Sequence, residues 1–110
     1  MAITQAFCTS FKVELMQAQH NFTNTTGNVF KMALFRATAS IVGTFGAGTT
    51  NYSDMGADEA SGTNYSAGGS ALTNVTPTSS GTTAFTDFAD LVFTNVTITT
   101  SGCLIYDDTV

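Results

Sequence analysis

Charged residues are scarce in this chain, and their scarcity limits what the protein can do. Only 10% of its 110 residues are charged, against about 25% in an ordinary soluble domain. It has three cationic residues, one histidine and no tryptophan. Few side chains are therefore available for acid–base or nucleophilic chemistry, and the sequence predicts that the protein is not an enzyme.

The chain also lacks the features of nucleic-acid-binding and membrane proteins. Its net charge is −5, and its cations Lys12, Lys31 and Arg36 do not cluster, whereas binding to phosphate backbones depends on grouped basic residues. No apolar run is long enough to span a membrane. The segment Met1–Phe7 has neither the basic nor the long apolar region of a secretory signal. We therefore expect cytoplasmic synthesis and neither a nucleic-acid nor a membrane partner.

Residues that could carry out chemistry are present but poorly arranged. Cys8 and His20 lie twelve positions apart, and no third group is evident to orient the imidazole, so nucleophilic catalysis is not expected. Asp54, Asp58 and Glu59 are close in sequence, but they lack the spacing of a calcium-binding loop. We interpret them as solvated loop residues, and the sequence predicts no metal and no cofactor.

The two cysteines allow two interpretations. A disulfide between Cys8 and Cys103 would close a loop across most of the chain. No CxxC pair or compact cysteine framework accompanies them. Buried free thiols are the favoured alternative.

Uncharged polar residues and an apolar content of 43% predict one packed, mainly β domain over residues 1–110. Alternating apolar and polar residues indicate an early strand at Val29–Ala37. Several short strands within about 35 residues near the end predict an antiparallel sandwich or a Greek-key-like sheet. These later segments are 71–78, 82–87, 91–93, 96–100 and 102–106.

One short amphipathic helix is predicted within residues 8–20. Phe7, Phe11 and Leu15 recur at four-residue spacing, and either Thr9 or Ser10 can cap the start. Because such a helix is marginal alone, its apolar stripe is expected to dock on a sheet or on a neighbouring chain. His20 follows the helix and is expected to make a cap or turn contact there.

Glycines interrupt residues 40–69, where only 54–60 could form a helical turn. A span of this length is either a surface loop with its own packing or an arm that reaches another subunit. Large apolar residues in this span and in the helical region are the candidate interface residues. They are Phe11, Leu15, Phe22, Tyr52, Met55 and Tyr65.

The order of several motifs resembles a known protein family. The first half contains AIT at 2–4, CTSFK at 8–12, EL at 14–15, HNF at 20–22 and FKMAL at 30–34. The second half contains ASGTNYSAGG at 60–69, LTNVT at 72–76, FTDFAD at 85–90 and GCLIY at 102–106. This pattern covers nearly the whole chain and is similar to that of small structural proteins encoded in the virion gene clusters of tailed bacteriophages.

The resemblance implies a virion structural protein, first of all a capsid cement or decoration protein on the outer shell. It would bind the major capsid protein or other virion proteins, and it would form a homo-oligomer, with a trimer favoured. Two alternatives stay open, a tail, neck or fibre component and a host-glycan-binding module. Family members continue past the equivalent of Tyr106 with further strands. If the native sheet needs one more strand, either another chain supplies it or the sequence is incomplete.

Overall fold

The computed structural model of the chain describes residues 6–36 and 48–109, without the side chains of 55–57. The predicted strand end at Ala37 and the first part of the predicted 40–69 loop lie outside the described residues. Helix α1 is Thr9–Met16, and the strands are β1 Phe30–Phe35, β2 Ser70–Ala71, β3 Asn74–Ser80, β4 Thr83–Phe88 and β5 Gly102–Asp107.

The strands form two antiparallel sheets, one with the order β2-β1-β5 and one made of the β3–β4 hairpin. The predicted mainly β fold with one short N-terminal helix is confirmed over the described residues. β1 lies in the middle of the larger sheet, and its six residues pair with β5 from Phe30 opposite Asp107 to Phe35 opposite Gly102.

Both faces of β1 are covered. On one face the ring of Phe30, which is 2% exposed, stacks on Phe22 at 4.5 Å and lies 5.6 Å from Phe88. On the other face the buried side chains of Ala33 and Phe35 form a second cluster. Tyr52, Leu104 and Tyr106 pack against it. The partly apolar character of both faces of this strand, seen in the sequence, therefore corresponds to packing on both sides.

Helix α1 is shorter and more exposed than the sequence predicts. It ends at Met16, and the positive φ of 60° at Ala18 turns the chain away. Its N-cap is Cys8 and makes no side-chain cap hydrogen bond, so the predicted Thr9 or Ser10 cap is wrong. Leu15 is 46% exposed, so only part of the predicted apolar stripe docks on the chain's own sheet.

Two further strands expected near the end of the chain do not form. Residues 91–93 and 96–100 run without strand structure, apart from a single bridge between Thr97 and Thr63. The strand predicted over 71–78 is divided between β2 and β3, with Leu72 and Thr73 separating them. The final strand, predicted at 102–106, is confirmed as β5.

The described part of the long loop, 48–69, packs on its own sheet, as the surface-loop alternative expects. A 3-10 helix covers Tyr52–Asp58, and Ala60 N donates to Leu34 O at 2.8 Å. The loop then returns to the sheet at Gly69, whose φ is +78°. A Cβ atom there would lie 1.8 Å from Met32 O, so only glycine lets the backbone approach β1 so closely.

The β3–β4 hairpin is the most exposed part of the described chain. All residues from Val75 to Asp87 are exposed, and only Asn74 and Phe88 at its base are covered. The hairpin carries one charged residue, Asp87. β3 also contains Pro77 and an irregularity between Val75 and Thr78. A two-stranded hairpin open on both faces is marginal in water.

Among the described residues, no helix is long or apolar enough to cross a membrane.

Replacing Phe30 by alanine should destabilise the fold by about 3–5 kcal/mol, because the ring is buried in the aromatic contacts over β1. Leu15→Ala on α1 should change the free energy of unfolding by only about 0.5 kcal/mol, as expected at an exposed position. Urea denaturation of both variants measures this contrast. Equal losses would show that α1 is buried more deeply than its exposure indicates.

Candidate functional site

Helix α1, strand β5 and the segment 49–52 surround a pocket of about 240 Å³. The helix and His20 approach β5 from the face that carries Asp107, and Tyr52 approaches from the opposite face. The pocket therefore lies across the outer edge of β5. Its lining residues are Cys8, Ser10, Phe11, Glu14, His20, Thr49, Thr50, Asn51, Tyr52, Leu104, Ile105, Tyr106 and Asp107.

His20 is held between two carboxylates beside this pocket. Its Nδ1 lies 2.8 Å from Asp107 Oδ2, and its Nε2 lies 3.2 Å from Glu14 Oε1. The side chains of His20 and Asp107 are 5% and 2% exposed, whereas that of Glu14 is 36% exposed. The ring can donate to both carboxylates only when each nitrogen carries a hydrogen. In that form it is a cation between two anions.

The local fold explains how His20 reaches this position. The turn at Ala18 sends the chain back along α1, so His20 meets the helix residue Glu14. Its ring stacks on Phe11 at 4.7 Å. From the sequence, His20 was expected to make a cap or turn contact at the end of the helix. The contact with Asp107, 87 positions away, was missed.

The pocket contains a thiol, an imidazole and a carboxylate, but their geometry does not activate the thiol. Asp107 is the orienting group that the sequence did not reveal. However, the Nε2 atom that a nucleophile would need is directed at Glu14. Burial also raises the pKa of the Cys8 thiol, which disfavours the reactive thiolate. Cys8 and Cys103 are free cysteines, and Cys103 is exposed rather than buried.

On the opposite face of the sheet, Glu59 accepts hydrogen bonds from three donors. The hydroxyl of Tyr52 donates to Oε1. Tyr65 Oη and Gly68 N donate to Oε2 at 2.6 and 2.8 Å. Tyr65 Oη in turn accepts from Leu34 N of β1 at 2.9 Å. Glu59 is therefore a folding contact that joins the long loop to the sheet, and the prediction that it is a solvated loop residue is wrong.

The carboxylate of Glu59 and burial together raise the pKa values of three tyrosines. The hydrogen bond to Glu59 is the main cause that raises the pKa of Tyr52 to about 12. Burial, followed by the bond to Glu59, raises the pKa of Tyr65. Burial also raises the pKa of Tyr106, whose ring stacks on Tyr52 at 4.7 Å. The folded protein therefore stabilises neutral phenols.

Asp54, another acidic residue of the long loop, accepts hydrogen bonds from residues close to it in sequence. Asp54 Oδ2 accepts from Thr50 N at 3.0 Å and from Asn51 N at 3.2 Å, and these bonds lower the pKa of Asp54. Within the described part of the chain, no group of three or more His, Cys, Asp and Glu side chains is placed to hold a metal ion.

The candidate interface residues predicted from the sequence divide into three groups. Phe11 and Phe22 pack with each other and with the core, and Tyr52 and Tyr65 bind Glu59. The contacts of these four side chains are thus made within the chain. Leu15 is partly exposed, and the side chain of Met55 lies outside the described residues.

Comparisons of the chain with models of protein families, with curated proteins and with solved structures found no match.

Removing one partner of the buried His20–Asp107 contact should destabilise the fold strongly. His20→Leu leaves the Asp107 carboxylate buried without its partner, and we expect a loss of about 3–5 kcal/mol in the free energy of unfolding. Lys31→Met provides a matched control, because it breaks the more exposed pair with Asp108 at 3.3 Å and should cost less than about 1 kcal/mol. Similar losses in urea denaturation would contradict the assignment.

Alkaline titration tests the Glu59 cluster. The raised pKa of Tyr52 stabilises the fold fully below the unfolded tyrosine pKa of about 10. This contribution is lost as the pH rises towards about 12, because the unfolded chain then binds fewer protons than the folded chain. In Glu59→Gln the phenolate absorbance of Tyr52 should appear closer to pH 10. An unchanged titration curve would contradict the hydrogen bond.

Proposed function

We propose that this protein is a structural component of a tailed-bacteriophage virion, most specifically a capsid cement or decoration protein on the outer shell. It would bind the major capsid protein or other virion proteins and assemble with copies of itself, with a trimer favoured. The motif order carries the family assignment. The observation in the structure that best supports an adhesive role is the β3–β4 hairpin, which is exposed on both faces and almost uncharged.

Exposed apolar side chains elsewhere agree with this proposal. Phe7 and Met16 are 70% and 82% exposed, and Val75 and Phe85 on the hairpin are 43% and 47% exposed. With so few charges, little on the surface opposes contact with another protein surface of neutral, hydroxyl-rich character. Many weak contacts repeated over one particle would then act together.

The contacts that the titratable groups make support a non-catalytic role. Glu14, His20 and Asp107 bind one another, and Glu59 binds two tyrosines. Groups committed to such contacts hold the fold together and are poorly placed to act on a substrate. We therefore propose that the protein needs neither a cofactor nor a bound metal.

We further propose that the two sheets are the layers of a sandwich-like or Greek-key-like unit in the assembled particle. The support is the edge of β5 and the hairpin, both of which offer positions for added strands. A role in the tail, neck or fibre is the alternative. Copy number separates the two, since a cement protein is present in hundreds of copies per particle and a neck or fibre part in tens. Quantitative mass spectrometry of intact particles measures it.

Purified protein should co-sediment with expanded capsids and raise the temperature at which they rupture. Phe85→Ser on the hairpin should weaken binding roughly tenfold, about 1.4 kcal/mol, because it removes an exposed apolar contact. Val92→Ser, a change at another exposed apolar residue outside the hairpin, should leave binding unchanged. No co-sedimentation together with an unaltered rupture temperature would reject the cement assignment.

A further inference from the structure

Strand β5 presents an open edge. In an antiparallel pair, alternate residues direct both backbone groups at the neighbouring strand and the residues between them direct theirs outward. Asp108 N donates to Val29 O at 2.8 Å, so the even-numbered residues of β5 face β1. Cys103, Ile105 and Asp107 therefore direct their backbone groups outward. No described residue forms a backbone hydrogen bond with these outward groups.

This edge forms the floor of a groove. The pocket of about 240 Å³ lies along it, with α1 on one side and the segment 49–52 on the other. The pocket leaves open space beside residues 104–107 of β5, and a strand added at this edge gains backbone hydrogen bonds along its length. Ile105, 46% exposed, lies on this floor.

The edge has no lysine, no proline and no bulge, three of the features that usually prevent strand addition, and α1 and the segment 49–52 flank part of it. Native edges are protected by lysine, proline, bulges or a covering segment. Gly102–Asp107 contains no lysine and no proline, and it pairs with β1 without a break. Its single charge, on Asp107, is buried against His20. The edge is therefore suited to pairing.

The β3–β4 hairpin supplies a matching strand. Its β3 edge is blocked by Pro77 and by the irregular register beside it, but β4 has neither. Ala89 N donates to Thr73 O, so the same alternation directs the backbone groups of Ala84, Thr86 and Phe88 outward. Phe88 N donates to Asp87 Oδ1 at 2.7 Å, so Ala84 and Thr86 carry the outward N–H donors of this edge. β4 and β5 are each six residues long.

We propose that the outer edge of β5 in one copy of this chain pairs with the outer edge of β4 in a second copy. The pairing is antiparallel. A parallel arrangement would bring the Asp87 carboxylate towards those of Asp107 and Asp108, where like charges repel. The antiparallel arrangement places Asp87 near Gly102. The two edges differ, so the contact is head-to-tail and repeats until a ring closes. The proposal rests on the self-assembly in the proposed function and specifies its interface.

Light scattering coupled to size-exclusion chromatography tests the proposal on the full chain. The wild type should form a closed oligomer. Ile105→Lys places a charge on the outer edge of β5, and Ala84→Lys places one on the outer edge of β4. Each should raise the dissociation constant of self-association roughly tenfold or more. Val92→Lys makes the same change in charge at an exposed apolar residue outside both edges, and should assemble like the wild type.

Mixing the two edge variants gives the sharper result. Ile105→Lys keeps an intact β4 edge and Ala84→Lys keeps an intact β5 edge. A mixture of the two variants should therefore form heterodimers held by one intact β4–β5 contact. If Ala84→Lys alone assembles like the wild type, β5 pairs with something other than β4 and the proposal is wrong. A monomeric wild type also overturns it. Circular dichroism checks folding, and Ala84→Pro, which removes an outward N–H at a residue with no side-chain hydrogen bond within the hairpin, replaces an Ala84→Lys variant that fails to fold.

The capsid assay keeps this inference separate from the proposed function. A wild-type chain that is monomeric in solution and still protects capsids would overturn the β4–β5 contact and leave the cement role standing. A chain that assembles through these edges but does not bind capsids would overturn the cement role and leave the β4–β5 contact standing.

Discussion

The whole fold depends on the elements that pack against the two faces of strand β1, and on each face one carboxylate holds them in place. Asp107 holds His20, and with it the helix and the aromatic rings, on one face. Glu59 holds the long loop on the other through two tyrosines and Gly68 N. A buried or half-buried carboxylate is costly unless donors surround it, so both groups demand the particular neighbours that they have. Two of the eight acidic residues are thus used to specify the interior.

This use of acidic residues makes the surface even less charged than the composition suggests. A chain that is already poor in charge uses several of its ionisable groups in internal contacts, and leaves hydroxyl, amide and apolar groups on the hairpin and around α1. Such a surface avoids the large cost of desolvating charges when it meets another protein, provided that its hydroxyl and amide groups find hydrogen-bond partners there. The features that stabilise the core and the features that favour adhesion therefore have a common origin in the composition.

The sequence predicts those elements whose signal is local. The alternation in β1 and β5 and the four-residue spacing in α1 are properties of short segments, and each element was found within a few residues of its predicted place. The strands expected at 91–93 and 96–100 did not form, because two or three apolar residues define a strand only when a neighbouring strand is present to pair with them. The His20–Asp107 and Glu59–Tyr65 contacts carry no local pattern, since their partners are set by how distant segments meet.

Four of the six candidate interface residues have partners within the chain that the sequence did not reveal, for a related reason. Phe11, Phe22, Tyr52 and Tyr65 are large and apolar, and in a sequence such residues look alike whether they fill the core or meet a partner. In the structure these four rings are half-buried and contribute to the packing on the two faces of β1. The segments left open are instead the threonine- and serine-rich hairpin and the edge of β5, whose capacity for association lies in backbone groups that every residue carries. The backbone pairing proposed for these edges would leave little trace in side-chain chemistry, and it is therefore compatible with a chain that has few reactive residues and many β-forming hydroxyl residues.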